Sequence, residues 1–248
     1  MIYFISDLHL SPQTPGAVAI LKRFLINIAQ TGDELFVLGD FFEVWVGDDA
    51  MNRPLNQDIV TALSEASHLG LKISVQHGNR DFLLGDQFVL AAGIHLISDP
   101  YVLSTPEWQF VLSHGDALCT NDTAYQAFRA QVRSPEWQTA FLTKPLIERL
   151  AIAEHLRGQS MEQNQGKAEY LMDLNPAETD DFLRQYGYAT FIHGHTHQPA
   201  KHDHMVDGIH VERWVLADWQ ENRGEALCWD GDQLTRLPLY SLDTAESN

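Results

Sequence analysis

Compact apolar runs alternate with longer stretches of helical period along the chain. Ile2–Ile5, Leu35–Leu38 and Ile73–Val75 predict buried strands. Between them, Val18, Leu21, Leu25 and Ile28 recur at helical spacing, with Thr31-Gly32 as the stop. Ile59, Leu63 and Ala66 mark a second helix that ends near Gly70. This βαβαβ order predicts parallel strands joined by crossover helices. Phe110–Leu112 and Ala189–Ile192 predict two more strands, and Pro176 opens a helix that runs through Tyr186 to Gly187. Val211–Leu216, Ala226–Trp229 and Leu234–Leu237 read as antiparallel strands, with Asp230-Gly231 as the turn between the last two. From Asp122 to Lys167 no strand pattern occurs. There Tyr125, Phe128 and Val132 share one helical face, and Trp137, Phe141, Leu146, Ile147 and Leu150 continue an apolar helical pattern.

The polar residues that follow the five strand-like runs carry the chemistry. They are Asp7-Leu8-His9, Gly39-Asp40, Gly78-Asn79-Arg80-Asp81, His114-Gly115-Asp116 and Gly194-His195-Thr196-His197. Strands side by side in one sheet would bring these ends together, at the carboxyl edge where open α/β sheets bind ligands. Singly, each motif is more often a turn than a site; five in this order, each after a strand, are a much stronger signal. Carboxylate, carboxamide and imidazole together suit Mn²⁺, Fe²⁺ or Zn²⁺, and the lack of thiolates argues against a structural zinc site. A carboxylate can bridge two cations, and Asp40 is the natural bridge. Two metals roughly 3.5–4 Å apart can clamp a phosphoryl group and lower the pKa of water. The chain therefore reads as a metal-dependent hydrolase of phosphate esters or anhydrides.

Composition sets the bounds. The 248 residues fit one large domain or two small ones, and 44% hydrophobic residues is ample for a core. A net charge of −18 argues against binding nucleic acid or an anionic membrane by bulk electrostatics. Cys119 and Cys228 are expected to be reduced thiols of a cytosolic protein. With no signal peptide and no bilayer-spanning run, the expected location is cytoplasmic, with any membrane contact peripheral.

Asp-x-His, Gly-Asp, Gly-Asn-x-Asp, His-Gly and Gly-His-x-His in this order resemble the calcineurin-like metallophosphoesterase superfamily. The resemblance implies an α/β fold, a four-layer α/β/β/α sandwich around two sheets, here a single domain over 1–248. The segment 122–168 is read as a helical cap inserted within it, against the alternative of an ordinary helical subdomain. The resemblance also implies one metal held by Asp7, His9, Asp40 and His197, and a second held by Asp40, Asn79, His114 and His195. Catalysis would rest on Asp40, Asn79, Arg80 and His114. Where the superfamily commonly has His, this chain has Arg80. Arg cannot act as an acid near neutral pH but binds phosphate oxygens in a fork, so Arg80 favours a phosphoanhydride over an alkyl ester.

The extended motifs Ile5–Leu10, Gly39–Glu43, Gly78–Phe82, His114–Asp116 and Gly194–Pro199 resemble more closely the branch that hydrolyses UDP-2,3-diacylglucosamine in lipid A synthesis. That likeness implies two Mn²⁺ per subunit and water attack on the α-phosphorus. The products would be UMP and 2,3-diacylglucosamine 1-phosphate. Substrate contacts would fall at Asn79, Arg80, Asp122, Ser160, Asn164, Lys167 and His195. An apolar groove for two acyl chains would draw on Tyr125, Phe128, Val132, Trp137, Phe141, Leu146, Ile147, Leu150 and Ile152. It implies weak, peripheral contact with the cytoplasmic face of the inner membrane, no nucleic acid, and no evident protein partner. Glu43 and Asp81 are expected to orient ligands, Asp116 to brace its loop, Asp48-Asp49 to be a solvated loop, and Trp45 to pack under the cap. His68, His77, His95, His155, His193, His202, His204 and His210 have no motif role. Two alternatives stay open: a phosphohydrolase acting on another nucleotide diphosphate or phosphodiester, and a non-catalytic scaffold.

Overall fold

The computed structural model describes residues 1–30, 32–106, 108–164 and 173–240, with side chains throughout except at 159–164. The first sheet holds six strands in the order β11-β10-β1-β2-β3-β4: Leu234–Tyr240, Arg223–Trp229, Ile2–Ile5, Glu34–Leu38, Lys72–Gln76 and His95–Leu96. The second holds five in the order β5-β6-β7-β9-β8: Tyr101–Ser104, Gln109–Ser113, Thr190–His193, Ile209–Val215 and Ala200–Val206. The five motif-bearing strands are thus divided between two sheets rather than lying in one. β1, β2 and β3 pair in parallel as the βαβαβ order predicts, with Phe4 beside Phe36 and Leu35 beside Ile73. β6 and β7 pair in parallel in the other sheet.

Strand alternation builds the layers. Phe4, Phe36 and Leu38 point to one side of the first sheet and meet Phe110, Leu112 and Ile192 of the second in a shared core. Phe4 lies 5.7 Å from both Phe36 and Phe110, ring centre to ring centre. The alternate residues Ile5, Leu35 and Val37 face the helices α1 (Pro15–Ile28), α2 (Pro54–His68) and α3 (Asp86–Ala92). On the far side of the second sheet, Phe182 and Leu183 of α7 (Pro176–Gln185) pack on Val111, Phe191 and Val211. This is the α/β/β/α sandwich. The central strands β2, β6 and β7 bury both faces, which is why they read as unbroken apolar runs, whereas the edge strands β5, β8 and β11 alternate.

Between β6 and β7 come three helices: α4 (Thr123–Val132), α5 (Pro135–Leu142) and α6 (Leu146–Asn164). Asp122 caps α4 by accepting from the Tyr125 amide at 3.1 Å, and Ser134 caps α5 by accepting from the Trp137 amide. Three features depart from the sequence expectations. α1 ends at Ile28, before Thr31-Gly32. Ala200–Val206 is a strand, the antiparallel edge partner of β9. β9 in turn runs parallel to β7, so the tail is not a simple antiparallel set. Among the described residues, no helix is long and apolar enough to cross a membrane.

Candidate active site

The carboxyl ends of β1, β2, β3, β6 and β7 are tied into one cluster by amide hydrogen bonds, with the Arg80 amide on Asp40 Oδ1 and the His195 amide on Asp7 Oδ2 linking β3 to β2 and β7 to β1. The Asp7 amide donates to Gly39 O, the His9 amide to Asp40 O and the Gly194 amide to His114 O. Two glycines permit this approach. A Cβ on Gly78 would lie 2.1 Å from the Asp40 amide nitrogen, and one on Gly194 would lie 2.2 Å from Asp7 Oδ2. The loops are also strained: Asp7, His9, Asp40, His195 and His197 all have positive φ, at 54, 47, 50, 68 and 55°. Non-glycine residues rarely hold this conformation, and such strain gathers at functional sites.

Every residue expected to ligate metal converges here, in two groups. In the first, His197 Nε2 stands 3.2 Å from both Asp7 Oδ1 and His9 Nε2, and His9 Nε2 is 4.0 Å from Asp40 Oδ2. In the second, Asn79 Oδ1 lies 3.0 Å from both His114 Nε2 and His195 Nδ1, and His114 Nε2 is 3.7 Å from Asp40 Oδ1. Asp40 has one oxygen toward each group. The donors fit divalent cations of intermediate softness: the ligand atoms of Asp7, His9 and His197, and those of Asp7, Asp40 and His114, lie within 4.8 Å of one another. His114 Nδ1 donates to Leu38 O at 2.8 Å, which turns Nε2 toward the cluster. Glu43 Oε2 stands 3.1 Å from His9 Nδ1, on the side of the ring remote from the cluster.

Electrostatics matches the geometry. Burial alone would raise the Asp7 carboxyl, but the His197 hydrogen bond and the His114 and His9 rings hold it below the carboxylate range. Burial alone would lower His114, yet Asp40, Asp7 and Asp116 raise it to about 9. His195, buried beside His114, is pushed down to about 4. The carboxylates thus create a focus that favours positive charge. Asp81 is fully buried and accepts from the amides of Phe41, Phe42 and Gly78, so it braces the loops that carry Asp40 and Asn79.

The cluster opens into a cavity of about 560 Å³. Its polar end carries Asn79, Arg80, Asp122 and His195; its apolar end carries Trp45, Phe82, Phe128, Val132, Trp137 and Phe141. Arg80 Nε is buried with no hydrogen-bond partner. Of the residues expected to form a groove, Tyr125, Phe128, Val132, Trp137 and Phe141 line the cavity. Leu146, Leu150 and Ile152 instead pack on the main core, and Ile147 is 80% exposed. Ile147 fails because the helix turns it outward, which its hydrophobicity does not reveal. Ser160, Asn164 and Lys167 lie outside the residues whose side chains are described.

Several functional contacts were not read from sequence. Asp48 is no solvated loop residue: it accepts from Trp45 Nε1 and from the amides of Gly85, Gln87 and Phe88 at the start of α3. Asp49 pairs with the buried Arg149 of α6, whose guanidinium also reaches Val46 O. Asp116 does more than brace its own loop, since it takes Tyr125 Oη at 2.7 Å and Arg129 Nε at 2.8 Å. Arg157 of α6 meets Glu43. These contacts follow no motif spacing, and most join segments distant in sequence. Trp45 is buried and packs against Phe42 and Phe88 while lining the cavity beneath α5 and α6.

Residues 1–199 match the family model of the calcineurin-like phosphoesterases. The chain is 46% identical over 228 residues to the UDP-2,3-diacylglucosamine hydrolase of Aromatoleum aromaticum, covering 92% of each chain. It is 46% identical over 239 residues to the protein of that name from Aeromonas hydrophila, covering 96% of this chain and 98% of that one. A third, from Chromohalobacter salexigens, is 42% identical over 237 residues, covering 96% of both. By the fold, the five converging loops and these likenesses together, the chain belongs to the UDP-2,3-diacylglucosamine hydrolase family of calcineurin-like phosphoesterases.

Proposed function

We propose that this chain cleaves the pyrophosphate bond of UDP-2,3-diacylglucosamine in lipid A synthesis. Water adds its oxygen to the α-phosphorus and the bond to the bridging oxygen breaks. UMP leaves with the water oxygen, and 2,3-diacylglucosamine 1-phosphate keeps the bridging one. One observation carries this reading: a single cavity of about 560 Å³ is lined both by His9, Asp40, Asn79, Arg80 and His195 and by the apolar Trp45, Phe128, Trp137 and Phe141.

Asp7, His9, Asp40 and His197 would hold one divalent cation, and Asp40, Asn79, His114 and His195 a second, with Mn²⁺ the ion to test. When bound, such ions supply Lewis acidity and a nucleophile at neutral pH. The protein's part is placement. Arg80, with Nε buried and unpartnered, offers a fork of donors to phosphate oxygens. The leaving group is itself a phosphate and needs no strong acid, so an Arg in place of a His suits this bond. Asn79 and His195 line the phosphate end, and Asp122 with Ser160, Asn164 and Lys167 are assigned to the sugar and phosphates. Residues 122–168 act as the cap of a single domain, and Phe128, Trp137 and Phe141 receive acyl chain. Contact with the cytoplasmic face of the inner membrane is weak and apolar, since a net charge of −18 gives anionic lipid no bulk attraction.

The test is incubation with UDP-2,3-diacylglucosamine and Mn²⁺ in detergent, followed by detection of UMP. Release of UMP is expected. Turnover of soluble nucleotides with no UMP from the lipid would overturn the substrate assignment.

A further inference from the structure

Glu43 holds two partners that belong to different parts of the protein. Its Oε2 stands 3.1 Å from His9 Nδ1, a buried nitrogen with no aligned hydrogen-bond partner, and its Oε1 stands 2.9 Å from Arg157 Nε on α6. The opposite nitrogen of His9 faces Asp7, Asp40 and His197. Arg157 and Glu43 both line the cavity, and Arg157 is half-exposed at its mouth. A continuous path of three side chains therefore joins α6 to the candidate metal cluster.

We infer that Arg157 is a positioning residue that couples closure of α6 over the cavity to the state of His9, through Glu43. This rests on His9 holding a cation, as proposed above. The physical reason is the imidazole tautomer. A cation on Nε2 leaves Nδ1 as the only ring nitrogen able to carry the proton. Nδ1–H would then be turned on Glu43 Oε2, completing a hydrogen bond that the 3.1 Å contact lacks, and would fix the carboxylate with Oε1 presented to the Arg157 guanidinium. Without the cation, His9 has no fixed tautomer, Glu43 is free to turn, and α6 loses part of its hold. Coupling is reciprocal: engagement of Arg157 favours the cation to the degree that the cation favours engagement.

Hydrogen exchange with and without Mn²⁺ tests this on the full chain, with Mn²⁺ binding followed separately by calorimetry. In the unsubstituted protein, Mn²⁺ should slow amide exchange in 150–158 at least about five-fold, the low end for coupled sites. Arg157→Ala should bind Mn²⁺ yet show the same α6 exchange with and without it. Glu43→Gln, which keeps size but weakens both contacts, should also lose the Mn²⁺ response of α6. A purely structural Arg157 would instead raise α6 exchange equally in both states and leave the Mn²⁺ response intact, which would overturn the inference. Mn²⁺ binding without any response of α6 in the unsubstituted protein overturns the coupling alone. Absence of Mn²⁺ binding, or binding unaltered by His9→Ala, overturns the assignment of His9 and the coupling with it.

Discussion

Tyr125 Oη donates a 2.7 Å hydrogen bond to Asp116 Oδ2, which anchors α4 to the loop that carries His114. Arg129 Nε adds a second contact to the same oxygen at 2.8 Å, and Arg133 lies 3.5 Å away. The carboxylate is fully buried. Burial would raise its pKa, but His114, Arg133 and Arg129 hold it below the carboxylate range. Asp116→Asn should therefore lower unfolding stability by about 2–4 kcal/mol, less than a fully buried broken pair because both guanidiniums reach solvent. Urea titration followed by circular dichroism measures this. An unchanged midpoint would mean that α4 is held by its apolar contacts alone.

Arg80 should matter to turnover but not to metal. Its side chain is not among the converging donors, and its buried Nε has no internal partner. Arg80→Ala should cut kcat/KM by roughly 10²–10³, the scale for losing a charge-stabilising donor. Arg80→Lys should recover little of it, since a point charge does not replace a fork. Calorimetry should find that Arg80→Ala still binds Mn²⁺, as expected for a residue outside the ligand set.

Chelation should act on stability as well as rate. Asp7, Asp40 and His114 are buried with donor atoms turned toward one another, which costs least when a cation lies between them. EDTA should abolish hydrolysis and lower the melting temperature, and Mn²⁺ at 100 times its Kd should restore about 2.7 kcal/mol. Asp40→Asn should lose this Mn²⁺-dependent rise. A melting temperature indifferent to Mn²⁺ would contradict the proposed centre.

Part of the acid sensitivity should arise away from the cluster, at Arg213. Its Nε donates to His204 Nε2 at 3.1 Å and its Nη1 to His193 Nε2 at 3.0 Å. Both rings must stay neutral to accept. Burial, then the charge of Arg213, lowers His204 and takes His193 down to about 3. A depressed pKa means that the unfolded chain takes up the proton first, from about pH 6.5 downward. Their contribution to stability is thus full above pH 6.5 and falls as pH falls. His204→Gln, which accepts without titrating, should flatten the decline between pH 6.5 and 5 in urea midpoints. A decline of unchanged slope would assign the acid loss elsewhere.

The sequence carried the five motif loops because each follows a strand buried on both faces, and such strands read plainly as apolar runs. It did not carry the division into two sheets, since an apolar run says nothing of which neighbour it pairs with. β8 was invisible for the opposite reason: Lys201, His202, Asp203 and His204 lie on an edge strand whose pattern is mostly polar. Asp48 and Asp49 looked like solvent-facing carboxylates, yet one caps α3 and the other meets a guanidinium 100 residues away. Likewise, Ile147 and Phe141 are equally apolar in sequence, and only helix packing sends one to solvent and the other to the cavity.

The most direct test is hydrolysis of UDP-2,3-diacylglucosamine with Mn²⁺ in ¹⁸O-labelled water, with both products weighed by mass spectrometry. The account expects UMP carrying the label and an unlabelled 2,3-diacylglucosamine 1-phosphate, with no products from Asp40→Asn. Label in the sugar phosphate, or no cleavage of the lipid substrate at all, would contradict it.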